Sequence, residues 1–151
     1  MLTLVEKVFF LQEVNVFGNS TTEDLAYVAA ITEEINIDKD DIIFQVSDIS
    51  DSMYMVVSGA VRLHRDNQEI LIAKSKDVFG TWALFDDDLR VAAATAIEDS
   101  TLLRIDREDF YDLLADHPQI TQDVLKTLSK RLKRLIEKVK VNPESGSQDK
   151  A

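Results

Sequence analysis

Apolar residues change their spacing twice along this chain, from about 3.6 to 2 and back again, and the two switches divide it into helical and extended parts. Leu4 to Leu11 is a short apolar-rich segment that predicts a turn or two of helix. A second helix follows, with Ser20 as its cap and Glu23 three residues on, the S/T-x-x-E capping pattern. Leu25, Val28, Ala29 and Thr32 share its inner face, which leaves Asp24, Ile31 and Glu33 off that face or at its edges. From Ile35 onward, short apolar or alternating runs take over: Ile42–Val46, Met53–Ser58, Ala60–Arg65, Glu69–Ala73, Ala92–Ala96 and Leu102–Ile105. Turn formers separate them, and Asp66-Asn67 joins Val61–Arg65 to Glu69–Ile72 as a hairpin with one packed and one wet wall. Asp106 is the expected cap of a helix over Arg107–Ala115, which His117-Pro118 ends. Pro118 suits the first turn of a last helix. That helix carries Ile120, Val124, Leu125, Leu128, Leu132, Leu135, Ile136 and Val139 as one long apolar stripe. Asn142-Pro143 stops it, and Glu144–Ala151 reads as a disordered polar tail.

Short strands with turns about every 8–12 residues, flanked by helices, predict a mainly β fold of the sandwich, jelly-roll or barrel kind. At 151 residues, 45% hydrophobic and 30% charged, the composition fits one soluble globular domain. The absence of cysteine removes thiol catalysis, zinc–thiolate sites and iron–sulfur clusters, and agrees with a cytoplasmic location. A formal net charge of -11 opposes a general attraction to nucleic acid or anionic lipid. The charge is uneven, however. Lys126, Lys130, Arg131, Lys133, Arg134, Lys138 and Lys140 crowd the last helix against only Asp123 and Glu137, so the acidic roll of the same molecule is expected to face them. No secretory leader or membrane-length apolar run occurs. His64 reads as strand surface and His117 as a helix end, and neither has a neighbour at metal-ligand spacing. No P-loop, H-E-x-x-H pattern or nucleophile motif is present, so neither an enzyme nor a metal or cofactor site is expected.

Ile43-Phe44, Asp48 and the stretch Asp51-Ser52-Met53-Tyr54-Met55-Val56-Val57-Ser58-Gly59-Ala60-Val61 resemble the strand–turn–strand signature of cyclic-nucleotide-binding domains. Asp77-Val78-Phe79-Gly80, Ala83-Leu84 and Arg90 resemble that family's phosphate-binding cassette. Leu102–Ile105, Phe110, Leu113-Leu114, His117-Pro118 and Arg131-Leu132 resemble its closing segment. The resemblance covers about Leu4 to Leu135 and implies a double-stranded β-helix, or jelly roll, with N-terminal helices, a short insert helix and two C-terminal helices. One domain over residues 1–141 follows, with the roll at about 35–105, the C-terminal helices at about 106–141 and the tail at 142–151. The implied ligand is a cyclic nucleotide, cyclic AMP first, held by Phe79, Gly80, Thr81, Trp82, Ala83, Leu84, Arg90, Val91, Ala92 and Ala93. In the family an arginine pairs with the cyclic phosphate, the place of Arg90, and a glutamate holds the ribose where this chain has Thr81. Ala93 likewise stands where the family has a hydroxyl, and Asp86, Asp87 and Asp88 oppose an incoming phosphate. Family glycine positions read Asp40, Ser47, Ser50 and Lys76. Arg90 is either the phosphate partner, in which case removing it changes stability little, or a structural arginine paired with those aspartates. Trp82 either packs in the core or stacks on a base.

Two functions stay open at this point. One is a ligand-sensing regulatory domain that relays through its C-terminal helices. The other is a degenerate roll that binds no nucleotide and serves as an interaction or dimerisation module. The last helix, about 22 residues and about 33 Å long, is expected to project past the roll. It would expose Leu128, Leu132, Leu135, Ile136 and Val139 to a second copy of the chain or to an effector. Fewer than a dozen polar residues follow it, so no DNA-binding domain is expected.

Overall fold

A computed structural model describes residues 1–141, apart from the side chains of Trp82, Lys140 and Val141. The expected tail at 142–151 lies outside the described residues. The chain runs α1 (Leu4–Gln12), a 3-10 turn (Asn15–Phe17), α2 (Thr22–Ala30), then strands β1 (Glu33–Ile37), β2 (Ile42–Phe44), β3 (Ser52–Ser58), β4 (Val61–Arg65), β5 (Gln68–Ala73) and β6 (Val78–Phe79). A second 3-10 turn (Thr81–Leu84), β7 (Ala93–Ala96), β8 (Ser100–Asp106), α3 (Arg107–Asp116) and α4 (Pro118–Val141) complete it. The strands form two antiparallel sheets, ordered β1-β8-β3-β6 and β2-β7-β4-β5. This is the expected jelly roll with helices at both ends.

Period-2 alternation along β3 explains the layering. Tyr54 and Val56 point into the roll, where they join Phe44, Val61, Ala73, Phe79, Ala94 and Leu102. Met53 and Met55 point the other way, into a second core with Leu11, Phe17, Leu25, Val28, Phe110, Ile120 and Val124 from the helices. β8 repeats the device, with Leu102 facing the roll and Leu103 and Ile105 facing the helices. β3 and β8 pair along most of their length, so the wall between the two cores is doubly hydrophobic.

Several local expectations are corrected. The cap of α2 is Thr21, not Ser20: the Thr21 hydroxyl accepts from the Asp24 amide at 3.1 Å, while the Ser20 hydroxyl is buried without a partner. The helix ends at Ala30, so Thr32 lies beyond it and donates its hydroxyl to the Ala29 carbonyl, and Glu33 begins β1. Asp24 is buried, because it accepts from the Gln119 amide at 3.0 Å and ties α2 to α4. Asp106 occupies the cap position of α3, yet its carboxylate pairs with Arg104 at 2.8 Å and makes no capping bond. The β4–β5 hairpin lacks the expected packed wall along β5, since Gln68 to Leu71 are all exposed. His64 sits on β4 against the Thr95 hydroxyl, and His117 closes α3 with its ring stacked on Tyr27 at 3.7 Å.

Of the family's glycine positions, Asp40, Ser47 and Lys76 keep a left-handed backbone, with φ of 74°, 75° and 79°. Each donates its N–H to a carbonyl on a separate segment of chain: Asp40 to Ala96, Ser47 to Arg90, Lys76 to Val56. The turns therefore survive without glycine, at a backbone cost of about 1 kcal/mol each. Replacing Asp40 or Ser47 with glycine should raise the melting temperature by about 1–3 °C, and an unchanged or lower value in thermal melts would show that the strain is already relieved by other contacts.

Candidate functional site

A cavity of about 570 Å³ lies against β2, β4, β5 and β6, and the segment leading into β7 closes it. Arg90 is its organising residue. The side chain is 7% exposed, and its guanidinium carbon lies 4.0 Å from the centroid of the Phe44 ring. Nη2 donates to the Ser52 carbonyl at 2.7 Å and Nη1 to the Gly80 carbonyl at 3.4 Å. The main chain is held as firmly, with the Arg90 amide on the Asp48 carbonyl at 2.9 Å and the Ser47 amide on the Arg90 carbonyl at 2.8 Å. Phe44, Tyr54 and Phe79 form a ring cluster beneath it, the last two stacked at 5.2 Å.

This cation is short of partners. Nε is buried with no hydrogen-bond acceptor, and among the described residues no carboxylate lies within ion-pair distance. Burial pushes the guanidinium below the usual arginine value, while Tyr54, Asp51 and Asp48 push it back up. A buried, incompletely compensated charge favours an anion brought beside it. Gly80 makes the arrangement sterically feasible: at φ 72°, a Cβ there would lie 2.7 Å from Arg90 Nη1.

The alternative in which Arg90 pairs with the neighbouring aspartates does not hold: no ion pair among the described residues uses Arg90. Arg107, at the start of α3, binds this segment instead: its Nη1 donates to the backbone carbonyls of Asp86 at 2.8 Å and Ala83 at 3.1 Å and to the carboxylate of Asp87 alone at 3.1 Å. The aspartates are turned outward and exposed, with Asp86 and Asp88 at the cavity wall. The Phe85 ring meets Phe110 of α3 edge-on at 6.1 Å, a second tie between this segment and the helices.

Phe79, Gly80, Thr81, Arg90, Val91 and Ala92 all line the cavity. Ala83 and Leu84 do not: both are buried, and Leu84 packs into the helical core. Ala93 is also off the wall, in β7 opposite His64. The Trp82 side chain, expected either in the core or on a base, lies outside the described residues. Sequence reasoning missed Leu63, Ile70, Leu71 and Leu89 as cavity residues, and took Phe44, Ser50 and Val78 only as parts of the family's pattern. The one available signal was the apolar run Ile70–Ala73 in β5, where strict alternation would put every second residue in water. No cluster of three or more metal-ligating side chains occurs among the described residues.

The family model for the cyclic nucleotide-binding domain matches residues 34–117, and the chain belongs to that family. A CRP-like cAMP-activated global transcriptional regulator of Mycobacterium tuberculosis is 30% identical over 115 residues, covering 71% of this chain and 51% of that protein. The cyclic AMP receptor protein of Thermus thermophilus is 35% identical over 96 residues, or 60% of this chain and 44% of that one. The chain thus spans about half the length of these curated relatives. The N-terminal domain of a transcriptional regulator from Streptomyces coelicolor has the same fold, with a TM-score of 0.78 at 25% identity, covering 85% of this chain and 93% of that one.

Of the two outcomes expected for removing Arg90, little change for a phosphate partner or a loss of stability for a structural arginine, the contacts favour the second, because its charge anchors two carbonyls and caps an aromatic cluster. Arg90→Ala should cost about 2 kcal/mol and lower the melting temperature by about 4–8 °C. A melt within 1 °C of the parent chain, about the scatter of such measurements, would contradict the anchoring role.

Proposed function

We propose that this domain is a non-catalytic sensor whose cavity takes a nucleoside cyclic monophosphate, cyclic AMP first, with the phosphate directed at Arg90. The observation that carries this reading is the buried guanidinium with an unpartnered Nε and no carboxylate of its own, set in a cavity of about 570 Å³. That volume falls within the usual range for small-molecule sites. Ile70, Leu71, Leu89 and Val91 line it while 46–65% exposed, and a purine base laid over them would bury that apolar surface. Membership of the cyclic nucleotide-binding family supports the same ligand. Relay to the helices runs through Arg107, which joins the segment Ala83–Asp87 to the first turn of α3.

Affinity is weak in this reading, between millimolar and tens of micromolar. Thr81 offers the ribose a neutral hydroxyl where the family offers a carboxylate, and losing one charge-assisted bond costs about 1.5–3 kcal/mol, or roughly ten- to hundredfold. Asp86 and Asp88 at the wall repel the phosphate further, to an extent that salt reduces. Calorimetric titration with cyclic AMP and cyclic GMP tests the reading. Thr81→Glu should tighten cyclic AMP binding about tenfold. A nanomolar dissociation constant for the parent chain contradicts the weak site, and no gain from Thr81→Glu removes the ribose from that position.

The exposed seam of α4 favours a second element of the function, self-association. Leu125, Leu128, Leu132, Leu135 and Val139 recur at spacings of three and four, the a/d rhythm of a coiled coil, and are 39–60% exposed. Ile136, 52% exposed, widens the stripe. The inward face of the same helix is a different one, Ile120, Val124 and Thr127. A second copy laid along that seam covers it, and the flanking lysines and arginines make the pairing salt-dependent. Sedimentation should show a dimer that strengthens with salt and is lost in the Leu132→Glu, Leu135→Glu double variant. A monomer at every salt and concentration would exclude it.

A further inference from the structure

The sequence led us to expect the acidic roll opposite the basic face of α4, and the structure corrects this. The ion pairs among the described residues join Lys76 to Glu13, Arg104 to Glu33 and Asp106, and Arg107 to Asp87; none uses a cation of α4. Three of those cations, Lys130, Arg131 and Arg134, instead line a second cavity of about 180 Å³, between α4 and the turn that follows α1.

Its other walls are Asn15, Gly18, Asn19 and Thr127, so the lining contains no carboxylate. The cations there are partly pre-set. Asn19 donates its amide to the Thr127 hydroxyl at 2.9 Å, and Thr127, itself buried, donates to the Asp123 carbonyl at 3.1 Å. The same Asn19 amide accepts from Lys130 Nζ at 3.1 Å with its oxygen, which fixes one ammonium at the rim across 111 residues of sequence. Lys130 and Arg134 stand four residues apart on one helix, a like-charge spacing that destabilises the helix unless an anion lies between them.

The geometry points to an anion site here, separate from the Arg90 cavity, for a small molecule that presents a pyrophosphate group. Size and charge select the class. About 180 Å³ is the room of roughly six waters at about 30 Å³ each, enough to seat two phosphoryl groups in a groove open to solvent. Two guanidiniums and one ammonium match the charge of a diphosphate, and arginine forks suit phosphoryl oxygens. Bound there, the anion ties α4 to the Asn15–Asn19 segment at the level where the helix leaves the domain.

Titration of the whole chain with inorganic pyrophosphate, followed by calorimetry and by broadening of the pyrophosphate phosphorus signal, tests the site. We expect sub-millimolar binding at low salt, weakened at least fivefold when ionic strength rises to about 0.15 M. Arg131→Gln combined with Arg134→Gln should weaken it at least tenfold and leave the apolar seam of α4 intact, and circular dichroism verifies the fold. Arg90→Lys should leave pyrophosphate binding unchanged, which separates this site from the nucleotide cavity. Undiminished binding in the double variant would overturn the assignment, as would an equal effect of chloride at matched ionic strength. Competition by a short glutamate peptide at equal affinity would overturn the phosphoryl class in favour of an acidic segment.

Discussion

A buried arginine that has no carboxylate of its own organises this domain. Arg90 reaches four separate pieces of chain: the ring of Phe44 on β2, the turn at Ser47–Asp48, the Ser52 carbonyl at the start of β3, and the Gly80 carbonyl after β6. Backbone carbonyls and a π-face are partial negative charges. They make burial of the guanidinium tolerable without neutralising it. The cavity is thus positively biased by one buried side chain, while Arg107 holds the acidic segment beside it through the Asp86 backbone carbonyl and the Asp87 carboxylate. Two arginines divide the labour, one facing the cavity and one restraining the acidic segment beside it.

Much of the fold was legible because its periodicities are clean. β3 and β8 are short apolar runs between turns, α4 keeps its stripe, and Asp66 supplies the left-handed residue of the hairpin turn. β1 escaped because Glu33-Glu34-Ile35-Asn36-Ile37 holds only two apolar residues and lies at a sheet edge against β8. β6 has two residues, too few to display any period. The Ser20–Thr21 misassignment shows why capping is hard to place from sequence: consecutive hydroxyls offer equivalent chemistry, and tertiary packing selects one.

The site was legible along the chain but not across it. Phe79, Gly80 and Arg90 were reached through their resemblance to the family's phosphate-binding cassette. The apolar wall of Leu63, Ile70 and Leu71 comes from the β4–β5 hairpin just before β6, and only the fold turns these side chains toward Arg90. Charge was the least legible quantity. The excess of acid over base suggested that α4 would be neutralised at home, whereas its cations line a cavity that the roll's carboxylates do not enter.

β3 has a consequence for how the molecule comes apart. Met53 and Met55 belong to the helical core, while Tyr54 and Val56 between and beside them belong to the roll. The two cores therefore share a single ply of backbone, and neither can loosen while the other stays intact. Helices and roll should melt as one cooperative unit, with amides of β3 and β8 exchanging only through global opening.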